Sequence, residues 1–351
     1  MRVAIVAPLH ESVPPRLYGG TERVVSYLTE ELVRGGHAVT LFATADSRTS
    51  ARLRAMAPQG LRLDPTCRDP LAWHVAMVHD VLESAKEFDL LHFHIDHLHF
   101  PAVRAYGIPA LTTVHGRLDL PELATLYARF HDMALVSISD AQRAPIPDAG
   151  WVATVHHGLP SQLLPFNPAG GDYAAFIGRM SPEKRPDRAV RIARRAGMRL
   201  RIAAKVERSE AAYFESEIRP LLSQPGVEFV GEIGERDKAQ FLGNAAALLF
   251  PIDWPEPFEL AMIEAMSCGT PVIAYGCGSV PEVVDEGVSG WIVSTEEEAA
   301  ERLAAIGSAS RQACRRAFER RFTAERMARD YAAVYERVLA RRPLPEIRPA
   351  A

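Results

Sequence analysis

"AALLFPIDWPEPFELAMIEAMSCGTPVIAYG", residues 246–276, changes its hydrophobic rhythm twice. The opening apolar run is short and unbroken, as in a strand buried on both faces. Pro255 and Pro257 then bracket Glu256. A residue preceding proline is pushed out of the helical region, so Glu256 is expected in a stiff, extended loop. From Phe258 the apolar residues Phe258, Leu260, Ala261, Ile263, Ala265 and Met266 read as a helix, stopped by Gly269 with Pro271 just beyond. Val272, Ile273 and Ala274 read as the next buried strand. Strand, loop, helix, turn and strand in this order form the repeating unit of an α/β protein with a parallel sheet.

The two glutamates of this stretch stand on either side of the helix start. Glu264 lies about five residues into the helix, which at about 1.5 Å per residue is roughly 7.5 Å from its first turn. Two carboxylates so placed can address different ends of one elongated ligand lying over the helix N-terminus. Unpaired amides and the positive end of the dipole make that N-terminus an anion site. Hydroxyl-bearing groups at both ends with an anion between them describe a nucleotide sugar. On spacing alone, one solvated and one helix-capping glutamate is an equal reading.

Working outward, short apolar strands alternate with helical patterns through the whole chain. The first series runs "VAIVAP", "AVTLFA", "LLHFH", "ALTTVH", "ALVSIS" and "VATVHHG"; the second runs "AAFIGRM", "LRIAAKV", "VEFVGE", "ALLFPI" and "PVIAYG". Between them "LPSQLLPFNPAGGDY" is rich in Pro and Gly and has no period, which places a domain boundary close to Pro168. At 351 residues the chain is long for one core and typical for two. The expectation is α/β with two doubly wound, Rossmann-like domains facing across a cleft: an N-terminal domain over 1–168 and a C-terminal domain over 169–317. A C-terminal amphipathic helix over 318–345 follows, with Phe318, Phe322, Met327, Tyr331, Val334, Tyr335 and Val338 on its apolar face. Its Arg-rich opposite face is a solvated surface, a packing surface across the domain junction, or a patch for anionic lipid.

Composition excludes several classes. A net charge of −4 argues against a nucleic-acid backbone as partner. Cysteines 67, 268, 277 and 314 contain no CxxC pair, so neither a disulfide framework nor a zinc site is indicated and a reducing, cytoplasmic setting is expected. No run of about 18 apolar residues is present for a membrane span. The opening "MRVAIVAPLHES" has too short an apolar run for a signal core. A dinucleotide enzyme is disfavoured because no G-x-G-x-x-G follows the first strand, and "GCGSVP" at 276–281 lacks the third glycine. The histidines of "LHFHIDHLHF" alternate on a strand as metal ligands can, but a packed or acceptor-side role is more economical, and no metal is expected.

Two further stretches bear on phosphate. In "GRMSPEKRPD", Arg179 and Lys184 flank a Ser-Pro turn at the end of a strand, where a guanidinium fork and an ammonium point charge can neutralise a diphosphate. In "YGGTERVVSYLTEEL", Gly19 and Gly20 permit close backbone approach at the start of a helix. A surface Arg and Lys, and a loop that merely needs positive φ, are the plain alternatives.

Taken together, "YGGTE", "TVHG", "SISDAQR", "GRMSPEK", "FVGEI", "EPFELAMIEAMSCGTPVIA" and "GSVPEVVDEGVSGWIV" resemble the family 4 retaining glycosyltransferases of the GT-B fold, over nearly the whole chain. The resemblance implies transfer of a sugar from a nucleotide diphosphate sugar to a hydroxyl acceptor (a sugar, a lipid-linked sugar or a small molecule), with no cofactor and no metal ion. It implies that Glu256 contacts donor-sugar hydroxyls and Glu264 the ribose, that Arg179 and Lys184 hold the diphosphate, and that the Gly20 amide approaches it. His115 matches the histidine beside the sugar's 6-position, and Gly231, Glu232 and Ile233 match the backbone that lines the nucleobase pocket. The helix-start residues Phe258, Glu259 and Leu260 join the donor-binding set. Two positions depart from the family pattern: Glu259 stands where glycine is usual, and His157 where asparagine is. The alternatives are a non-catalytic nucleotide-sugar binding protein and a non-hydrolysing sugar-nucleotide epimerase. Contact with the inner face of a membrane is a further open expectation.

Overall fold

The computed structural model describes residues 1–16 and 19–340. Strands β1 (Arg2–Val6), β2 (Ala38–Thr44), β3 (Arg52–Ala57), β4 (Leu90–Phe93), β5 (Ala110–Thr113), β6 (Leu135–Ser137) and β7 (Trp151–Thr154) form one sheet in the order β3-β2-β1-β4-β5-β6-β7. Strands β8 (Tyr173–Arg179), β9 (Arg199–Lys205), β10 (Val227–Gly231), β11 (Ala245–Phe250), β12 (Val272–Tyr275) and β13 (Gly290–Val293) form a second, ordered β10-β9-β8-β11-β12-β13. All neighbours in both sheets run parallel. Each order reverses once, at β1/β4 and at β8/β11, the point where open parallel sheets bind ligands beyond the strand C-termini.

The expected strands are all present. Two more, β3 and β13, carry weak signals for a common reason: both are edge strands. β3 is "RLRAMA", half exposed with arginines interleaved, and β13 is the four-residue "GWIV". Edge strands are covered on fewer sides and need no unbroken apolar run.

The chain divides into two compact bodies: Met1–Gly158 together with the segment from Ala324, and Leu159–Thr323. Each has its own apolar core, one around Val6, Phe42, Phe93 and Phe100, the other around Phe176, Ile202, Leu249 and Ile273. The division therefore falls at Gly158, earlier than the expected Pro168. The aperiodic segment after Leu159 is held by arginines instead of linking loosely. Arg315 donates to the carbonyls of Ser161 (2.7 Å) and Leu164 (3.2 Å), and Arg311 to that of Asn167 (2.7 Å).

The expected single helix over 318–345 is two helices, Arg311–Arg321 and Ala324–Ala340. The break at Phe322 and Thr323 lets the first stay in the second body, where the Leu159 amide donates to the Phe322 carbonyl at 2.9 Å. The second helix returns to the first body and packs on the helix Gly20–Arg34. Residues 341–345 of the expected helix lie outside the described residues. Among the described residues no helix is long and apolar enough to cross a membrane.

Candidate functional site

In the second body the reversal of strand order brings together the ends of β8 and β11. β8 runs into Arg179 and the turn carrying Lys184; β11 runs into the Pro-rich loop carrying Trp254 and Glu256. The two loops are fastened to each other. The Asp253 amide donates to the Glu183 carbonyl at 3.0 Å, and Arg185 pairs with the Asp253 carboxylate at 2.7 Å.

Lys184 lies at the centre, 6% exposed. Its ammonium donates to Glu256 Oε2 at 2.5 Å and to Glu259 Oε2, and stands 5.6 Å from the centre of the Phe250 ring. The Trp254 indole N–H donates to the same Glu256 oxygen at 2.9 Å. Burial alone would lower the Lys184 pKa, but the two carboxylates override it and raise it above the ordinary value. Burial raises the Glu256 carboxyl to about 6 against the pull of Lys184. Glu259 moves the opposite way: burial opposes its charge, but the charge and hydrogen bond of Lys184 win and hold it below its usual value. The arrangement is a cation carrying two carboxylates, with net charge −1 and one proton within easy reach on Glu256.

The helix that follows is Leu260–Ser267. It begins two residues later than the sequence suggests, because Glu259 is its N-cap in extended geometry (φ −121°, ψ 118°) and Phe258 precedes it, packed against Phe322. Glu259 is therefore outside the first helical turn. Glu264 is the fifth residue of the helix, 3% exposed, and its Oε1 accepts from Lys238 at 2.6 Å. Lys238 belongs to the helix Glu235–Gly243, which follows the segment Gly231, Glu232 and Ile233 at the end of β10. Arg179 is held at longer range by Glu183 (3.4 Å) and Glu210 (3.7 Å).

Sequence reasoning missed three contributors here. Lys238 pairs across a separation that leaves no local signal. Trp254 adjoins Glu256 in the chain and was legible as a neighbour. The third is the "GCGSVP" turn, which has a structural use. Gly278 (φ 55°) lies so close to Glu256 that an added Cβ would meet its carbonyl oxygen at 2.3 Å, and the Ser279 amide donates to that carbonyl at 3.0 Å. The glycine is required to seat the Glu256 loop.

The remaining expected residues lie in the first body. Gly19 (φ 150°) is the N-cap of the helix Gly20–Arg34, and a Cβ on it would meet the Pro15 Cβ at 2.8 Å, whereas a Cβ on Gly20 would meet nothing within 4 Å. His115 follows β5, its Nε2 2.8 Å from His94 Nδ1 and its ring stacked on His157 at 5.3 Å. Burial pushes His115 down to about 3. Two of the four histidines of "LHFHIDHLHF" point at hydroxyls: His92 meets Tyr335 and Thr113, each at 2.8 Å, and His99 meets Thr112 at 2.8 Å. Among the described residues no group of three or more His, Cys, Asp or Glu is arranged to hold a metal ion.

Comparison with known proteins bears on what this arrangement is. Residues 166–320 match the family described as glycosyl transferases group 1, and residues 18–144 match glycosyltransferase family 4. A glycogen synthase from Mycobacterium tuberculosis is 23% identical over 330 residues, covering 79% of each chain. Among solved structures, AviGT4, a glycosyltransferase involved in avilamycin A biosynthesis, superposes with a TM-score of 0.73 at 26% identity, covering 97% of this chain and 98% of its own. HepE from Anabaena, crystallised with UDP and glucose, shares the fold with a TM-score of 0.74 at 17% identity, covering 96% of this chain and 100% of its own. The two family matches fall in tandem along two parallel-sheet bodies of Rossmann-like order, and this chain belongs to the family 4 glycosyltransferases, enzymes of the GT-B fold.

Proposed function

We propose that this glycosyltransferase takes a sugar from a nucleoside diphosphate sugar and passes it to a hydroxyl acceptor with retention of anomeric configuration and without a metal ion. The observation that carries the reading is the cluster at the β8/β11 ends, where Lys184 and Glu256 meet beside the N-terminus of the helix bearing Glu264. HepE, bound to UDP and glucose, supports the donor class.

In this reading Glu264 holds the ribose hydroxyls, and the backbone of Gly231, Glu232 and Ile233 lines the base. Lys184, Arg179 and the first amides of the helix Leu260–Ser267 take the diphosphate. Breaking the bond between the anomeric carbon and the phosphate oxygen leaves growing negative charge on the departing nucleoside diphosphate. Preoriented cations and amides stabilise that charge with little reorganisation, each donor being worth about 2.7–4 kcal/mol in comparable sites. They supply what a divalent ion supplies elsewhere, and the sequence has no Asp-x-Asp pair of the kind used to hold one. Glu256 grips sugar hydroxyls. The family likeness gives the Gly20 amide to the diphosphate and His115 to the sugar's 6-position, and has the acceptor hydroxyl attack from the side the phosphate leaves. Donor entry requires Lys184 to exchange Glu259 for phosphate.

A thermal-shift panel of UDP-, ADP-, GDP- and dTDP-sugars identifies the donor, because a ligand of the folded state raises its apparent stability by mass action. Product analysis with the selected donor then tests the reaction. Transfer that continues after exhaustive chelation, with retained configuration, is the expected result. Turnover abolished by EDTA and restored by manganese, or isomerised donor as the only product, would overturn it.

A further inference from the structure

His94 is the first residue beyond β4, at the point where the strand order of the first sheet reverses, and its amide donates to the Val6 carbonyl at 2.9 Å. Its ring is 2% exposed and wedged between two other histidines. It lies 4.1 Å from the His92 ring, which Tyr335 and Thr113 hold at both nitrogens, and its Nδ1 is 2.8 Å from His115 Nε2. Its remaining nitrogen, Nε2, is buried and has no hydrogen-bond partner. The backbone of His115 is fixed as well: the Gln142 side-chain amide donates to the carbonyls on both sides of it, Val114 at 3.0 Å and Gly116 at 2.9 Å.

These contacts decide where the protons sit. A buried N–H with no acceptor is rarer in folded proteins than a buried acceptor with no donor. The proton of His94 therefore belongs on Nδ1, the nitrogen that has a partner. We infer that His94 is a positioning residue: its Nδ1–H donates to Nε2 of His115, which forces His115 to keep its own proton on Nδ1 and to present that N–H as a fixed donor. Burial lowers the pKa of both rings, so each is neutral at working pH and has a single proton to place. This inference rests on the reading that His115 faces the donor sugar, where an N–H donor suits a hydroxyl oxygen and the other tautomer would turn a lone pair toward it.

The test uses the full chain labelled with ¹⁵N-histidine, with the His115 signals among its 12 histidines assigned by their loss in His115→Gln. In the wild type, His115 Nδ1 should give a protonated-type shift and Nε2 an unprotonated one. His94→Asn, whose amide nitrogen sits where Nδ1 does, should preserve that pattern. His94→Leu should mix the tautomers and lower kcat/KM for the nucleotide sugar selected above about tenfold, the scale of one hydrogen bond, with His94→Asn recovering most of it. A wild-type His115 protonated on Nε2, or a tautomer unchanged in His94→Leu, would overturn the inference. If His94→Leu fails to fold, the wild-type and His94→Asn spectra still decide it. Proton placement as inferred with His115→Ala transferring sugar at the wild-type rate would overturn the sugar-facing reading instead.

Discussion

A lysine between two carboxylates brings net charge −1 to a place proposed for a diphosphate, so the competition between Glu259 and phosphate for Lys184 decides donor affinity. Two like charges about 4 Å apart repel by about 4 kcal/mol at an effective dielectric near 20, and a Glu259 that stays in place opposes the donor by that order. Glu259→Gly should tighten donor binding by tenfold or more in a calorimetric titration. Because Glu259 is an N-cap and not an internal helical residue, the change should cost only a few tenths of a kcal/mol through the helix itself. Weaker donor binding in this variant would mean that Glu259 touches the sugar. Lys184→Met tests the same balance from the other side. It leaves two largely buried carboxylates without their cation, and losing one partner of a buried pair costs about 3–5 kcal/mol. Their folded pKa values must then rise. A carboxyl with a raised folded pKa stabilises the protein below its unfolded value and loses that contribution as pH rises through the folded one. Denaturant melts should therefore show the penalty largest above pH 7 and shrinking toward pH 5. In the wild type, Glu256 near 6 should place the acid limb of kcat/KM near pH 6, and Glu256→Gln should flatten it. A limb that survives in Glu256→Gln belongs to another group.

One element, the helix Leu260–Ser267, carries the proposed ribose contact and the amides proposed for the diphosphate, and its partner is the helix Glu235–Gly243 through Lys238 and Glu264. Lys238→Met should weaken binding of the free nucleoside diphosphate about tenfold, since a hydrogen bond to a charged group is worth about 1.5–3 kcal/mol and Glu264 loses its orientation with it. The effect should largely vanish in a Glu264→Gln background, and a double-mutant cycle on calorimetric affinities reads that coupling. Additive losses would mean that Lys238 acts on phosphate directly. What the sequence revealed at this scale follows from which signals are local. The strand–loop–helix–strand unit, the loop at Glu256 and the depth of Glu264 in its helix all rest on proline, glycine and apolar spacing within a few residues. The Lys238–Glu264 pair and the close approach of Gly278 to Glu256 join segments distant in the chain, and composition does not mark them. Lys184 and Glu259 were each visible as charges. Their pairing was not, because side-chain partners depend on which strand ends the topology brings together.

At the scale of the whole molecule, the chain leaves its first body at Gly158 and returns to it at Ala324, so the first body is discontinuous and the second is continuous. The returning helix Ala324–Ala340 buries Met327, Tyr331, Val334, Tyr335 and Val338, and its two tyrosines supply hydroxyls to His92 and Thr113. Each large apolar side chain so buried contributes about 1.5–3 kcal/mol. Their sum is comparable with the whole 5–15 kcal/mol stability of a typical domain, and their loss would also leave buried imidazole and hydroxyl groups without partners. A fragment of residues 1–158 should therefore fail to fold alone, and should fold when the segment 324–340 is joined to it by a flexible linker. The fragment 159–323 contains its own six-stranded sheet, its own core and every residue of the Lys184 cluster. It should fold as a single cooperative unit and bind free nucleoside diphosphate about ten- to a hundredfold more weakly than the full chain, because each contact proposed for base, ribose and most of the phosphate charge lies within it, and the one missing hydrogen bond, from Gly20 to the charged diphosphate, is worth about 1.5–3 kcal/mol. Circular dichroism melts and calorimetry on the two fragments measure both outcomes. A folded 1–158 would show that the returning helix is dispensable, and a folded 159–323 that ignores nucleotide would place the nucleotide outside the Lys184 cluster.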